Sequence, residues 1–126
     1  MHELSLADSI LSTALEVAKQ HNAMAIKQVT VEIGSFALVQ LDQLRFCINI
    51  LTEKTIAAHA KFKLLQTPGE LQCAECGFQG AVADIAEDSF GMNLFSCPQC
   101  SSVSTQIISG REVIVRSVDL ALDQNG

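Results

Sequence analysis

The sequence predicts an α+β fold in which two helices pack on a small sheet of about three strands, with a zinc-ribbon module inserted between two of the strands. Three observations support this prediction. Two segments in the first half of the chain carry apolar residues at helical spacing. Three other segments have the apolar and polar pattern of strands. Two C-x-x-C pairs, separated by twenty residues, follow in the second half.

The first helix is predicted over residues 4–21, where apolar residues recur at intervals of three and four. Ser5 and Asp8 have the spacing of a capping box, with Asp in place of the usual Glu or Gln. This start signal predicts that the first three residues lie just outside the helix. The apolar stripe consists of Leu4, Ala7, Ile10, Leu11, Ala14, Val17 and Ala18.

A strand and a second helix are predicted next. Apolar and polar residues alternate over residues 26–33, which favours a half-buried strand that ends at Gly34. Helical spacing then returns and predicts a helix from Leu41 to about Lys54, in which Asp42 suits the dipole of the first turn. The apolar positions of this helix are Leu41, Leu44, Ile48 and Leu51.

Two further strands complete the predicted body. Residues 60–67 read as a strand with Phe62 and Leu64 on one face, and Pro68-Gly69 is a strong stop signal. Residues 105–120 are expected to form one strand that pairs with the earlier strands.

The predicted elements divide the chain into two domains. Residues 1–68 and 104–126 are expected to form the α+β domain. Residues 69–103 are expected to form the zinc-ribbon domain, which has too few apolar residues to fold without its metal.

Four cysteines are the candidate zinc ligands. In a C-x-x-C turn both sulfurs point at one place, and two such turns can complete a tetrahedron around Zn²⁺. A site with four protein ligands has no open position, which favours a structural zinc. Two disulfides, four unrelated thiols and a redox iron centre are the alternatives. The four residues are Cys73, Cys76, Cys97 and Cys100.

The charge distribution argues against nucleic-acid binding. The formal net charge is −6, and no Lys or Arg lies between Lys63 and Arg111. Phosphate contacts need positive charge, and stacking on bases needs aromatic side chains, yet the chain has no Trp or Tyr. A nucleic-acid-associated zinc ribbon or transcription factor is therefore kept only as the alternative function. Acidic residues in the module are Glu70, Glu75, Asp84, Glu87 and Asp88.

Compartment and enzyme class are also limited by the sequence. The chain has no apolar run long enough to span a membrane and no signal-peptide pattern, so we expect a cytoplasmic protein. None of the common enzyme motifs occurs, and we expect no catalytic activity. Cys47, in the second helix, is expected to be buried, and His21 and His59 are expected at the surface.

His2 is the remaining candidate for metal chemistry. The α-amine of Met1, the amide nitrogen of His2 and the His2 imidazole can chelate one ion through fused rings. Ni²⁺ and Cu²⁺ accept such nitrogen donors and square-planar geometry. Glu3 offers a carboxylate or an amide for a further position. Taken alone, a terminal Met-His is also compatible with an ordinary exposed histidine.

Four sequence segments together resemble one known family. They are the N-terminal Met-His-Glu-Leu-Ser-Leu-Ala, Val-Glu-Ile-Gly at residues 31–34, the four-cysteine set with Cys-Pro-Gln-Cys at residues 97–100, and Ser-Gly-Arg-Glu at residues 109–112. In order and spacing they resemble the HypA/HybF family of hydrogenase nickel-incorporation proteins.

The resemblance implies a nickel metallochaperone that binds Ni²⁺ at Met1 and His2, with Glu3 modulating delivery, and that holds a structural Zn²⁺ at the four cysteines. It also implies two partners, a GTPase accessory protein and the large-subunit precursor of [NiFe]-hydrogenase, and for some relatives urease. Both a monomer and a homodimer are compatible with the sequence.

Overall fold

The computed structural model of the protein describes residues 2–82 and 96–122. Three of the acidic residues assigned to the module, Asp84, Glu87 and Asp88, lie outside this range. Contacts between Cα atoms divide the chain into two compact units, which we call the helical unit and the cysteine unit. The helical unit comprises Met1–Glu32, Val39–Leu65 and Val113–Gly126, and the cysteine unit comprises Ile33–Leu38 and Gln66–Glu112. The predicted domain boundaries, after residues 68 and 103, stay a prediction.

The described chain contains two α-helices, a short 3-10 helix and six strands, in agreement with the predicted α+β class. In chain order they are α1 (His2–Gln20), β1 (Ala23–Gly34), the 3-10 helix (Ser35–Ala37), α2 (Leu41–Thr52), β2 (Lys61–Thr67), β3 (Gly69–Cys73), β4 (Gln79–Val82), β5 (Thr105–Ser109) and β6 (Val113–Leu122).

The helical unit contains most of the buried apolar side chains. Its sheet has the strand order β2-β1-β6, and α1 packs against α2 and β6. The buried face of α1 follows most of the predicted stripe, because residues at intervals of three and four share one side of a helix. The exceptions are Leu4, which is 48% exposed, and Val17, which is half-buried. Buried side chains of this unit are Ala7, Ile10, Leu11, Ala14, Ala18, Ile26, Val29, Val31, Leu44, Ile48, Ala57 and Phe62.

The start of α1 differs from the prediction. The helix begins at His2, so Ser5 is not its N-cap. Glu3 lies in the first turn of the helix. A carboxylate in the first turn is favourable because the helix N-terminus carries partial positive charge. The Glu3 carboxylate also accepts a hydrogen bond from the backbone N–H of Gln40, a contact that local sequence does not reveal.

The cysteine unit has its own three-stranded sheet with the order β4-β3-β5. Both outer strands pair antiparallel with β3, whose Leu71 is fully buried. The prediction of one strand over residues 105–120 is wrong in its extent, although the second half, β6, pairs with β1 as expected. The chain forms two strands in different sheets, and between them Gly110 has a φ of 109°, a conformation that ends a strand and favours glycine.

The segment Ile33–Leu38 belongs to the cysteine unit although it is remote from the cysteines in sequence. Its backbone is held by two hydrogen bonds, from Gly34 N to Glu112 O at 2.9 Å and from Phe36 N to Gly110 O at 2.8 Å. A Cβ on Gly69 would overlap the Phe36 ring, so this buried ring packs directly on the start of β3.

No helix in the described part of the chain combines the length and the apolar character needed to cross a bilayer.

Candidate metal centres

The four predicted zinc-binding cysteines lie together in the cysteine unit. Their Sγ atoms are all within 4.8 Å of one another. The Cys73 and Cys100 sulfurs are 3.6 Å apart, and so are those of Cys76 and Cys97. Because a disulfide requires about 2.05 Å between sulfurs, these are four free thiols. Within the described ranges no other group of three or more His, Cys, Asp or Glu side chains has metal-binding geometry.

The first cysteine turn follows directly from β3. The N–H of Cys73 donates to the Phe78 carbonyl at 2.7 Å, and the N–H of Gly77 donates to the Cys73 carbonyl at 3.2 Å. Gly77 has a φ of 80°, which closes the turn and lets the chain continue into β4. Cys73 is buried while Cys76 is exposed.

The second turn repeats the first with different residues. The N–H of Cys97 donates to the Ser102 carbonyl at 2.8 Å, and the N–H of Ser101 donates to the Cys97 carbonyl at 2.9 Å. Ser101 adopts a φ of 65°, close to that of the glycine at the same place in the first turn. Again the first cysteine is buried and the second, Cys100, is exposed. The two turns therefore present their sulfurs in the same way.

Each turn also directs a backbone amide at its buried sulfur. The Glu75 N–H donates to Cys73 Sγ and the Gln99 N–H donates to Cys97 Sγ, both at 3.3 Å. Hydrogen bonds of this kind stabilise a thiolate, which is the form of cysteine that binds metal.

The thiols of the cluster have pKa values shifted in opposite directions. Backbone hydrogen bonds, first that of Cys76, lower the pKa of Cys73 to about 7 although desolvation raises it. At Cys100 the backbone hydrogen bond of Ser102 lowers the pKa, but desolvation and the neighbouring thiols outweigh it and raise the pKa to about 12. Thiols this close ionise together only when a positive charge compensates them. The cluster is therefore chemically suited to a cation.

The sulfur positions fit a tetrahedral ion. Four sulfurs at about 2.3 Å from one Zn²⁺ would lie about 3.8 Å from each other. The Cys73–Cys100 and Cys76–Cys97 sulfur pairs, both at 3.6 Å, are near this value. Four thiolates would fill the coordination sphere and leave no position for a substrate.

The second candidate centre is at the start of α1 in the helical unit. Met1 and the imidazole of His2 lie outside the part of the chain that the structure describes, so the nickel set Met1, His2 and Glu3 stays a prediction. Glu3 is described, and the residue is only 9% exposed. Its Oε2 accepts the hydrogen bond from Gln40 N–H at 3.1 Å.

The other singled-out residues that the structure describes are not part of the cysteine cluster. His21 and His59 are exposed, as predicted. Cys47 was expected to be buried but is only partly covered. Cys47 lies on α2 beside Phe46, which is 65% exposed. This side of α2 is therefore partly open to solvent although its residues are apolar. The sequence did not point to Gln40 as a partner of Glu3. Its hydrogen bond to the Glu3 carboxylate comes from a backbone N–H, which any residue except proline supplies.

Comparison with known proteins gives consistent results along nearly the whole chain. The sequence model of a family described as hydrogenase/urease nickel incorporation, metallochaperone, hypA matches residues 1–120. A hydrogenase maturation factor HypA from Methanothermobacter thermautotrophicus is 37% identical over 120 residues, covering 95% of this chain and 97% of that protein. One from Methanocella arvoryzae is 33% identical, with coverages of 95% and 98%.

Solved structures support the same fold. The solution structure of the Ni metallochaperone HypA from Helicobacter pylori aligns with a TM-score of 0.65 at 20% identity, covering 96% of this chain and 98% of that one. A second solution structure, of a HypA protein, aligns with a TM-score of 0.64 at 23% identity, covering 98% of both chains.

Proposed function

The chain belongs to the HypA family of hydrogenase/urease nickel-incorporation metallochaperones, and on this premise we propose that it carries Ni²⁺ at its N-terminus for the maturation of a [NiFe]-hydrogenase. The observation that carries the proposal is the extent of the family match, which runs from residue 1 to residue 120. It includes both candidate centres. The family also favours a carrier over the nucleic-acid-associated zinc ribbon kept as the alternative.

The proposed nickel donors are the α-amine of Met1, the amide nitrogen of His2 and the His2 imidazole. The start of α1 at His2 is compatible with this set. The first N–H groups of an α-helix have no intrahelical acceptor, so the amide of His2 can bind metal without breaking a helical hydrogen bond. Few protein donors and a position at a helix end suit a site that must release its ion.

We propose that the cysteine cluster holds a structural Zn²⁺ at Cys73, Cys76, Cys97 and Cys100. The support is the paired turns, the amides directed at two of the sulfurs and the sulfur spacing. A closed tetrahedron contributes folding energy and leaves no position for exchange. The two metals would then have separate roles, with nickel as cargo and zinc as part of the fold.

Delivery requires partners. We propose that the protein acts without catalysis of its own, in the cytoplasm, with a GTPase accessory protein and the hydrogenase large-subunit precursor. Urease is a further recipient compatible with the family description.

Nickel titration of the zinc-loaded protein tests the proposal. His2→Ala removes the imidazole, and we expect nickel affinity to fall at least about tenfold, because imidazole is a strong donor for Ni²⁺. His21→Ala is the matched control, since His21 is exposed just beyond the other end of α1. Zinc content should not change in either variant. Native affinity in the His2→Ala protein would reject the terminal site.

A further inference from the structure

β6 is an edge strand of the helical unit. Its sheet has the order β2-β1-β6, and within the described residues no strand pairs with the side of β6 that faces away from β1. The carbonyl of Glu112, one residue before β6, accepts a hydrogen bond from Gly34 N and so points at β1. Because backbone groups alternate in direction along a strand, the N–H and C=O groups of Val113 and Val115 point away from β1. This edge therefore offers donors and acceptors to a further strand.

The sequence of β6 does little to prevent such pairing. Natural edge strands are commonly protected by lysine, by proline or by a short length. β6 has ten residues, Val113–Leu122, and contains neither lysine nor proline. Its one cation, Arg116, forms an ion pair with Glu32 of β1 at 2.9 Å. The edge is thus long and accessible to another chain.

A groove lies beside this edge, between α1 and the first residues of β6. Its volume is about 300 Å³, and none of its lining residues is charged. A strand that pairs with β6 directs every second side chain toward the face that α1 covers, so apolar side chains of that strand can enter the groove. The lining includes Leu6, Ile10, Val113 and Val115, together with the polar Ser9 and Thr13.

Two exposed carboxylates lie on the elements that form the groove. Glu16 follows Thr13 by about one turn of α1. Asp119 lies on the same face of β6 as Val115, because side chains alternate along a strand. Arg116 alternates to the other face, where Glu32 engages it. Basic side chains complement this rim, whereas a second copy of the chain would bring further carboxylates to it.

We propose that the β6 edge and this groove bind an extended, basic segment of the protein that receives nickel, as an added strand. The backbone of the segment pairs with β6, its apolar side chains enter the groove, and its flanking Lys or Arg side chains meet Glu16 and Asp119.

The position of the groove favours the recipient of the metal as the occupant. Leu6 lies one turn beyond His2 on the same side of α1, so the groove begins about 6 Å along the helix axis from the proposed nickel donors. A docked segment therefore brings its protein close to the ion. This choice of partner rests on the proposed function, whereas the docking itself does not require nickel.

An NMR titration of the full zinc-loaded chain, without nickel, tests the docking. The titrant is the peptide acetyl-Lys-Thr-Val-Thr-Val-Thr-Lys-amide, whose Lys and Val side chains share one face when it is extended. We expect amide signals of β6 and of the groove side of α1 to shift. Hydrogen exchange of the Val113 and Val115 amides should slow at least about fivefold, because these N–H groups gain acceptors. The same peptide with Glu in place of Lys should bind at least about fivefold more weakly.

Ser9→Arg is the matching change in the protein, since Ser9 is exposed and lines the groove. The long cationic side chain fills the groove and repels the Lys peptide, so we expect peptide affinity to fall at least about tenfold. Ser12→Arg, at an exposed position of α1 outside the groove lining, is the control and should bind as the native chain does. Nickel transfer to the hydrogenase large-subunit precursor should slow at least about fivefold in Ser9→Arg alone.

The inference is overturned if the β6 signals do not shift, if exchange of the Val113 and Val115 amides is unchanged, or if Ser9→Arg binds the peptide like the native chain. A native transfer rate in Ser9→Arg would reject the nickel recipient as the occupant. A dimer in sedimentation velocity that Ser9→Arg dissociates would assign the edge to a second copy instead. Failure of the proposed function is separate, because it shows as unchanged nickel affinity in His2→Ala and leaves the nickel-free titration unaffected.

Discussion

The two units of the molecule are stabilised in different ways. The helical unit buries apolar side chains from two helices and a sheet. In the cysteine unit the buried apolar side chains of the described residues are Ile33, Phe36 and Leu71, together with Cys73 and Cys97. Such a small core needs a further source of folding energy, which a bound metal can supply. One unit therefore folds by burial, and the other is expected to fold by coordination.

The two candidate metal centres differ in the same sense. The cysteine centre offers four side chains that two similar turns bring together, so we expect a metal bound there to be enclosed and not to exchange. The proposed nickel centre uses mainly nitrogen atoms at a helix start, so it can be open and exchangeable. The difference suggests a general division of labour, in which a structural metal is enclosed by the fold and a cargo metal is placed at its edge.

The largest expected effect comes from removing one sulfur. Cys73→Ala should abolish tight zinc binding and unfold the cysteine unit, with a loss of up to about 10 kcal/mol of coordination energy. The helical unit should keep its structure, so circular dichroism should show partial loss and amide NMR signals from α1 and α2 should persist. Cys47→Ala, outside the cluster, is the control and should retain zinc. Loss of the α1 signals in Cys73→Ala would mean that the units do not fold separately.

A smaller effect is expected from two glycines of the cysteine unit. Gly110 has a positive φ, and a Cβ there would lie 2.5 Å from the Cα of Gly69. Gly77 also has a positive φ, but a Cβ there would meet nothing within 4 Å. Gly110→Ala should therefore cost about 2–4 kcal/mol and Gly77→Ala only about 1 kcal/mol. Denaturant unfolding of the zinc-loaded variants measures both values, and equal losses would contradict the packing described at Gly69.

The smallest effect concerns acid stability. Hydrogen bonds from backbone N–H groups lower the pKa of the Glu112 carboxyl. The largest contribution comes from the N–H of Glu112 itself, and the next from the N–H of Gly110, whose nitrogen lies 3.0 Å from Glu112 Oε2. A carboxyl with a lowered folded pKa stabilises above its unfolded pKa of about 4.3, and this stabilisation disappears as the pH falls through the folded value. Glu112→Gln should lose that part of the pH dependence between pH 6 and 3. Glu70→Gln, an exposed position on β3, should keep it. If Glu112→Gln keeps the native pH profile of stability, the Glu112 carboxylate does not contribute to acid stability.

The features that could be predicted from the sequence are those that the spacing of nearby residues determines. The helix and strand periods gave the elements of the helical unit, and the cysteine spacing gave the set of thiols that the structure brings together. Sequence reasoning missed the break between β5 and β6, although the polar stretch Ser-Gly-Arg-Glu at residues 109–112 interrupts the apolar pattern there. The φ of 109° at Gly110 and the hydrogen bond that its carbonyl accepts from Phe36 N depend on contacts that local sequence does not reveal. Sequence reasoning also placed the start of α1 too late, since the contact from Glu3 to Gln40 joins residues 37 apart. The partners of the cysteine turns, such as the Phe78 and Ser102 carbonyls, are backbone atoms and carry no side-chain signal.

The central claim is that nickel and zinc occupy separate centres and that nickel is held by the free N-terminus. Isothermal titration of nickel into native, His2→Ala and N-terminally extended chains at equal zinc content tests it most directly. The extension removes the Met1 amine while keeping His2, and it must carry no histidine among its own first three residues. We expect both altered chains to bind nickel more weakly while their zinc content stays native. If the extended chain binds nickel as tightly as the native one, the amine is not a ligand and the terminal chelate is wrong.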